Sequence, residues 1–70
     1  MHEENSYEIR LRDILDKDWE THFSPFLIFA DEEDTLLTGV VHDQAELFGI
    51  LLKIRDLGLR LISVNPVPRK

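Results

Sequence analysis

Cysteine is absent from this 70-residue chain, and glycine and proline occur three times each. Without cysteine the chain holds no disulfide and no thiolate-bound metal, so packed apolar side chains must supply its stability. No apolar run approaches the ~20 residues that a membrane-spanning helix needs. Residues 1–6 lack the basic and apolar segments of a signal peptide. We therefore expect a cytoplasmic protein with no membrane partner.

Basic residues are also scarce, with 8 Lys and Arg against 14 Asp and Glu and a net charge of −6. The average field of such a chain repels a phosphate backbone. The exceptions are Arg10 and Arg12, which share one strand face, and the basic pair at 69–70. They are too few to form a basic patch, so we expect no nucleic-acid partner.

Hydrophobic residues, by contrast, make up 43% of the chain, which is too many for a disordered protein. The length allows one domain, and a chain of this size buries only roughly 60% of the surface that its unfolded form exposes. We expect a single domain over residues 1–70. Its polar ends, residues 1–6 and 68–70, are expected to be flexible.

Four segments have the apolar patterns of β-strands: residues 7–12, 26–30, 35–41 and 59–64. The first alternates apolar and charged residues, which places Tyr7, Ile9 and Leu11 on one face. The acidic segment 31–34 separates the second and third segments and predicts a hairpin turn. Pro66, with Pro68, ends the last strand, as is typical of an edge strand.

A short helix is predicted between the first two strands. Asp16 is a suitable N-cap, and Trp19 and Phe23 lie one turn apart on the same side of this helix. Ser24 precedes Pro25 and is therefore disfavoured in helical conformation, so the helix should end there.

A second helix is predicted over residues 44–57. Asp43 and Glu46 have the spacing of a capping box, and Gly58 follows the last turn, where a left-handed residue is favoured. The element order predicts an α+β, ferredoxin-like β-α-β-β-α-β fold, with two helices on one face of a four-stranded antiparallel sheet. In that arrangement the first and third strands are central. A swapped dimer that shares the same elements is the rival arrangement.

Apolar side chains are more abundant than one covered sheet face requires. Three strands are apolar on both faces, and the second helix carries a second apolar stripe around Phe48 and Leu52. A contiguous exposed apolar patch usually marks an interface, so we expect a homodimer; the alternative is the apolar surface that every protein exposes. Arg55 either pairs with a carboxylate across that interface or covers apolar surface with its stem. The candidate interface residues are Ile28, Leu36, Val40, Phe48, Leu52, Arg55, Ile62 and Val64.

Catalytic and ligand-binding patterns are missing from the sequence. His2, His22 and His42 lack metal-ligand spacing, and the acidic turn lacks the alternating ligands and the glycine of a calcium loop. No serine lies in a nucleophile elbow, and no glycine-rich loop cradles phosphate. We expect no catalytic residue, no metal and no cofactor, and therefore no enzyme. Gly39 and Gly49 are the more informative glycines, and Gly49, inside the helix, predicts a close backbone approach or a ligand resting over the helix.

The segment 37–64 resembles a family of short stand-alone bacterial proteins of unknown function. Their pattern is Gly-x-Val-x-Asp-Gln-Ala-x-Leu-x-(Gly/His)-Leu-Leu-x-x-Ile-Arg-Asp-Leu-Gly-Leu, and it is most specific over residues 43–59. Residues 7–10, with Trp19 and Phe23, resemble the first half of the same family. Val40 and Gly49 depart from it, since proline and histidine are common there. The resemblance implies a complete bacterial cytoplasmic protein and carries over no activity, cofactor or site residue.

The expected function is that of a small non-enzymatic protein–protein interaction module that forms a homodimer. The alternative is a small-molecule-sensing regulatory domain that binds its ligand at a dimer seam near Gly39, Asp43 and Gly49. Fold analogy alone suggests this alternative.

Overall fold

The computed structural model describes residues 5–67. Its elements are β1 (Asn5–Leu11), a 3-10 turn (Lys17–Trp19), α1 (Glu20–Phe23), β2 (Leu27–Ala30), β3 (Thr35–Val41), α2 (Gln44–Asp56) and β4 (Leu61–Val67). The strands form one sheet of order β2-β3-β1-β4, in which all neighbours are antiparallel. The predicted flexible ends fall largely outside the described residues. Asn5 and Ser6, however, belong to β1 and pair with Val41 and Val40.

The predicted ferredoxin-like fold with two helices on one sheet face is wrong. The strands are ordered β2-β3-β1-β4, and the two helical segments differ greatly in length. Helix α2 has 13 residues, whereas the other helical segment covers only residues 17–23. That segment divides into a 3-10 turn and a four-residue α1, so it does not form a second helical layer. The reason is local, because the Asp16 cap and Pro25 lie only nine residues apart and leave no room for a longer helix.

The short segment keeps the local features that its sequence predicts. Asp16 accepts a hydrogen bond from the Asp18 backbone N–H at 3.1 Å and begins the 3-10 turn. The Trp19 and Phe23 rings stack with centroids 6.3 Å apart. Phe23 is fully buried, and Trp19 packs against the core. The segment therefore anchors the connection between β1 and β2 to the core through two aromatic side chains.

The core lies between the sheet and α2. Strand register places alternate residues of β1 and β3 on this covered face, and Ile9 lies opposite Leu37. Both side chains are fully buried. The buried apolar residues are Ile9, Leu11, Leu15, Phe23, Phe26, Leu37, Val41, Leu47, Ile50 and Ile54. This single cluster agrees with the alternation in β1, whose predicted inward residues face it.

Helix α2 confirms the capping prediction at both ends. Asp43 Oδ1 accepts the Glu46 backbone N–H at 3.0 Å, and Glu46 Oε1 accepts the His42 backbone N–H at 2.7 Å. At the other end Gly58 has φ 75° and donates its N–H to the Arg55 carbonyl. A left-handed glycine here ends the helix without the strain that a Cβ would add.

The strand boundaries differ modestly from the predicted ones. β3 has the predicted bounds and β2 begins one residue later. β4 begins two residues later than predicted and continues through Pro66 to Val67, so the prediction that Pro66 ends this strand is wrong. The acidic turn is a hairpin, as predicted: Asp31 Oδ1 accepts the N–H groups of Glu33 and Asp34 at 2.8 and 2.9 Å. Proline has no backbone N–H to donate to a neighbouring strand. Pro66 is tolerated in β4 because β4 is an edge strand, which has a neighbour on one side only.

Candidate interaction surfaces

The open face of the sheet carries apolar side chains on its β2–β3 half. Phe29 lies directly opposite Leu36, and Leu27 lies opposite Thr38. Val40 follows two residues later on the same face of β3. The side chains of Leu27, Phe29 and Val40 are 54%, 56% and 41% exposed. We call Leu27, Phe29, Leu36 and Val40 the sheet patch.

A charged border closes one end of the sheet patch. Arg10, opposite Leu36 on β1, donates to Asp34 Oδ2 at 3.4 Å. A depression of about 150 Å³ lies at this end, between the aromatic ring of Phe29 and the ion pair. The acidic hairpin turn adjoins it, so a partner that covers the patch meets apolar side chains first and carboxylates at their edge.

The Asp31 carboxylate at this border is held ionised by the turn itself. Backbone N–H groups of Asp34 and Glu33 donate to it, and these bonds lower the pKa of Asp31 below its usual value. The turn therefore stays negatively charged at neutral pH. A basic side chain is the matching group for a partner that reaches this edge.

The second apolar surface is the outer face of α2. Leu47, Ile50 and Ile54 point into the core. At about 100° per residue, the opposite side of the helix carries Ala45, Phe48, Gly49 and Leu52. Phe48 is 54% exposed and Leu52 is 49% exposed. We call these four residues the helix stripe; it faces away from the sheet patch.

Gly49 has no packing partner within the described residues. An ideal Cβ placed on it meets no heavy atom within 4 Å, apart from the helix's own backbone and its chain neighbours. The predicted close approach at Gly49 is therefore wrong within this chain. Because glycine in a helix interior costs about 1 kcal/mol relative to alanine, the position carries a cost that intramolecular packing does not explain.

Gly39 differs, because a close approach is found there. A Cβ at Gly39 would lie 2.9 Å from Phe26 Cγ and 3.1 Å from Phe26 Cα. Gly39 therefore makes room for the buried ring of Phe26. The space beside it is filled by this chain and does not belong to either exposed surface.

A groove of about 270 Å³ runs beside α2, with Gly49 in one wall and Phe26, Val40 and Val41 among its apolar lining. Glu46 and Lys53 line it two helical turns apart. Lys53 Nζ donates to the His22 carbonyl oxygen at 2.7 Å. The groove thus combines an apolar lining with one acidic and one basic side chain.

The structure divides the predicted interface residues between several places. Leu36 and Val40 lie on the open sheet face, and Phe48 and Leu52 lie on the helix stripe. Ile28 and Val64 instead pack against the core, because their strand register turns them to the covered face. Arg55 is exposed and donates to Asp56, its neighbour in sequence. Ile62 lines a depression with Arg12 and Asp34 at the end of the sheet.

Leu27 and Phe29 are the surface residues that sequence reasoning missed. Residues 26–30 are continuously apolar, so the pattern by itself does not say which side chains point outward. The pairing of Ile28 with the buried Leu37 decides it. Had the hairpin register been deduced from the turn at 31–34, the same two residues would have been found.

Side chains that could ligate a metal are not clustered in the described part of the chain. Among residues 5–67, no three His, Asp or Glu side chains form a group able to hold a metal ion. Asp43, Glu46 and His42 meet at the start of α2, where the carboxylates accept backbone N–H groups. None of the helices in this part of the chain is long and apolar enough to cross a membrane.

A family model described as a domain of unknown function (DUF8691) matches residues 6–65. The chain belongs to this family. The match spans β1 to β4 and so includes both apolar surfaces of this DUF8691 protein. No curated protein and no solved structure matches the chain.

Proposed function

We propose that this DUF8691 protein is a small non-enzymatic protein–protein interaction module that forms a homodimer. The observation that carries the proposal is the grouping of half-exposed apolar side chains on two surfaces that face opposite ways. Single exposed apolar residues are ordinary, whereas contiguous groups mark interaction sites. Here Phe29 and Leu36 pair across strands, and Phe48 and Leu52 lie one helical turn apart.

The dimensions of the molecule support an interface on either surface. A standard interface takes roughly 800 Å² from each partner, which is about a sixth of the 5141 Å² accessible surface of this chain. The molecule measures 38 × 26 × 20 Å, so one broad face supplies an area of that order. Two separate surfaces allow one chain to bind a second copy and a different protein together.

The sheet patch is the surface that we assign to a different protein. Its partner presents apolar side chains to Leu27 and Phe29, and a basic residue to the acidic turn beside them. A second copy is less suited to this patch, because each copy would bring its own acidic turn to a chain of net charge −6. A bacterial cytoplasmic setting belongs to this proposal; the cysteine-free sequence supports it.

The homodimer is tested by sedimentation equilibrium of the full chain over a wide concentration range. We expect the mass to rise with concentration from 8.2 kDa toward twice that value. A mass that stays at the monomer value throughout contradicts the homodimer.

The partner surface is tested by affinity capture from the native host with two baits. One bait is the natural chain, and the other carries Leu27→Gln and Phe29→Gln. A specific partner should bind the first bait and be lost from the second. Equal recovery on both baits rejects the sheet patch as the partner surface.

A small-molecule sensor is the second candidate function, and the groove beside Gly49 favours it. The sequence places the ligand of this sensor near Gly39, Asp43 and Gly49. Of these residues, Gly49 lines the groove, whereas the space beside Gly39 is occupied by the Phe26 ring and the Asp43 side chain caps α2. Thermal unfolding with a panel of metabolites separates the two functions. A ligand present at 100 times its Kd should add ~2.7 kcal/mol of stability, and a flat panel rejects the sensor for the compounds tested.

A further inference from the structure

The helix stripe has the features of a surface that packs against another helix. Phe48 and Leu52 project from it, and the small residues Ala45 and Gly49, one turn apart, lie beside them and leave the backbone uncovered. All four residues are exposed. Glycine is disfavoured inside a helix, so its occurrence at position 49 needs a reason. A second helix crossing at Gly49 explains its presence, because the absence of a side chain lets two helix axes approach closely.

The charges beside the stripe indicate which helix fits. Glu46 lies near the start of α2 and Lys53 near its end, on the same side of the helix and bordering Gly49. If two copies of α2 run antiparallel about a twofold axis at Gly49, Glu46 of each copy lies opposite Lys53 of the other. The same axis brings Phe48 near Leu52 of the second copy, with an offset of two residues, or about 3 Å, along the helix. The antiparallel arrangement also opposes the two helix dipoles favourably.

We propose that α2 forms the homodimer seam, packing antiparallel against α2 of a second copy about a twofold axis at Gly49. This inference rests on the proposed homodimer and names the surface that forms it. The occupant is a second copy because the stripe and its charges complement themselves under twofold symmetry. The sheet patch, with its acidic border, then remains free for a different protein.

The existing contacts of the two charged residues are compatible with this seam. Glu46 accepts the His42 N–H through Oε1, which leaves Oε2 for Lys53 of the second copy. Lys53 donates one hydrogen to the His22 carbonyl, and its ammonium has two more. Pairing across the seam therefore adds contacts without breaking those within the chain.

Gly49→Gln is the first test. Glutamine favours helix more than glycine does, and its Cβ meets no neighbouring atom in the monomer, so the folded monomer should be at least as stable as the natural chain. At the twofold axis the same side chain blocks the approach of the second helix. We expect the dimer Kd in sedimentation equilibrium to rise at least about tenfold. Leu27→Gln, on the opposite surface, is the matched control and should leave Kd unchanged.

A charge exchange is the second test, and it does not depend on Gly49. Glu46→Lys and Lys53→Glu should each weaken dimerisation, by roughly tenfold, since each removes two symmetry-related pairs. The double variant Glu46→Lys/Lys53→Glu should recover much of the affinity. A recovery of affinity in the double variant cannot come from an ion pair between residues 46 and 53 of the same chain, because seven residues of helix separate them by about 10 Å.

The outcomes separate this inference from the broader proposal. A natural chain that remains monomeric overturns the homodimer and the seam with it. A natural chain that dimerises while Gly49→Gln dimerises equally well overturns the seam alone, as does a double charge variant no better than the single ones. Loss of the dimer in Leu27→Gln transfers the homodimer to the sheet patch and also overturns the seam.

Discussion

Asp13 accepts the backbone N–H of Arg60 at 2.7 Å, joining residues that lie 47 positions apart in sequence. The Arg60 guanidinium adds a second contact at 3.2 Å. The Arg12 N–H in turn donates to the Arg60 carbonyl at 2.9 Å. The chain entering β4 is thereby held against the chain leaving β1, where the register between these strands shifts.

The first prediction concerns the pH dependence of this link. The backbone bond from Arg60, and then its side-chain bond, lower the pKa of Asp13 below the usual 3.8. A carboxyl whose folded pKa is lowered stabilises the fold above the unfolded pKa and loses that contribution as pH falls through the folded value. We therefore expect the urea midpoint to decline on acidification below about pH 4.

Asp13→Asn tests the origin of that decline. This variant should be less stable at neutral pH and should lose less stability on acidification than the natural chain. Asp31 also has a lowered pKa, so Asp31→Asn should remove a further part of the pH dependence. If the pH profile of Asp13→Asn parallels that of the natural chain, the link does not contribute to acid sensitivity.

The second prediction concerns Thr35, a fully buried polar residue at the start of β3. Its hydroxyl donates to the Asp13 carbonyl at 2.6 Å and accepts the Leu15 N–H at 2.9 Å. Thr35→Val leaves both backbone groups without this partner, and the free energy of unfolding should fall by about 1–3 kcal/mol. Thr38→Val, on the open face, is the control and should change it by less than about 0.5 kcal/mol. Equal effects in the two variants would contradict this role for Thr35.

The third prediction compares alanine at two glycines. Gly39→Ala brings a Cβ against the ring and Cα of Phe26, and we expect a loss of about 1–3 kcal/mol on chemical denaturation. Gly49→Ala meets no neighbour among the described residues and improves helix propensity, so it should add about 0.5–1 kcal/mol when unfolding is measured at a protein concentration low enough to keep the chain monomeric. The two substitutions are chemically identical and should differ in sign. Destabilisation of the monomer by Gly49→Ala would mean that the helix is closely packed within its own chain at that position.

The fourth prediction concerns the start of α2. Asp43→Ala removes the side chain that accepts the Glu46 N–H and should cost about 0.5–2 kcal/mol, measured by thermal or urea unfolding. Gln44→Ala, one residue later and exposed, is the control and should have little effect. If Asp43→Ala and Gln44→Ala unfold at the same midpoint, the cap is not a significant source of stability.

Several features of the molecule were predictable because adjacent residues decide them. The caps Asp16 and Asp43, the terminal Gly58 and the acidic hairpin depend on backbone groups within a few residues. The inner positions of β1 and β3 in the sheet also agree with the prediction. The first helical segment is shorter than predicted, since its start signal at Asp16 and its stop signal at Pro25 lie too close together for a second layer.

The exposed surfaces were predictable only in part. The excess of apolar residues indicated that such surfaces exist, and Phe48 and Leu52 follow from helical periodicity. In the uniformly apolar strands, by contrast, a shift of one residue exchanges the two faces. The prediction places Ile28 and Val64 on the open face, whereas they pack against the core, and it does not include the exposed Leu27 and Phe29.

The sequence by itself determined the order of the elements of this DUF8691 protein and the residues that cap its helices, because capping, turn formation and periodicity act between near neighbours. It also determined that apolar residues exceed what one small core can bury. Only the tertiary structure decided which of them remain exposed, since strand register and the space around Gly39 and Gly49 are set by residues far apart in the chain.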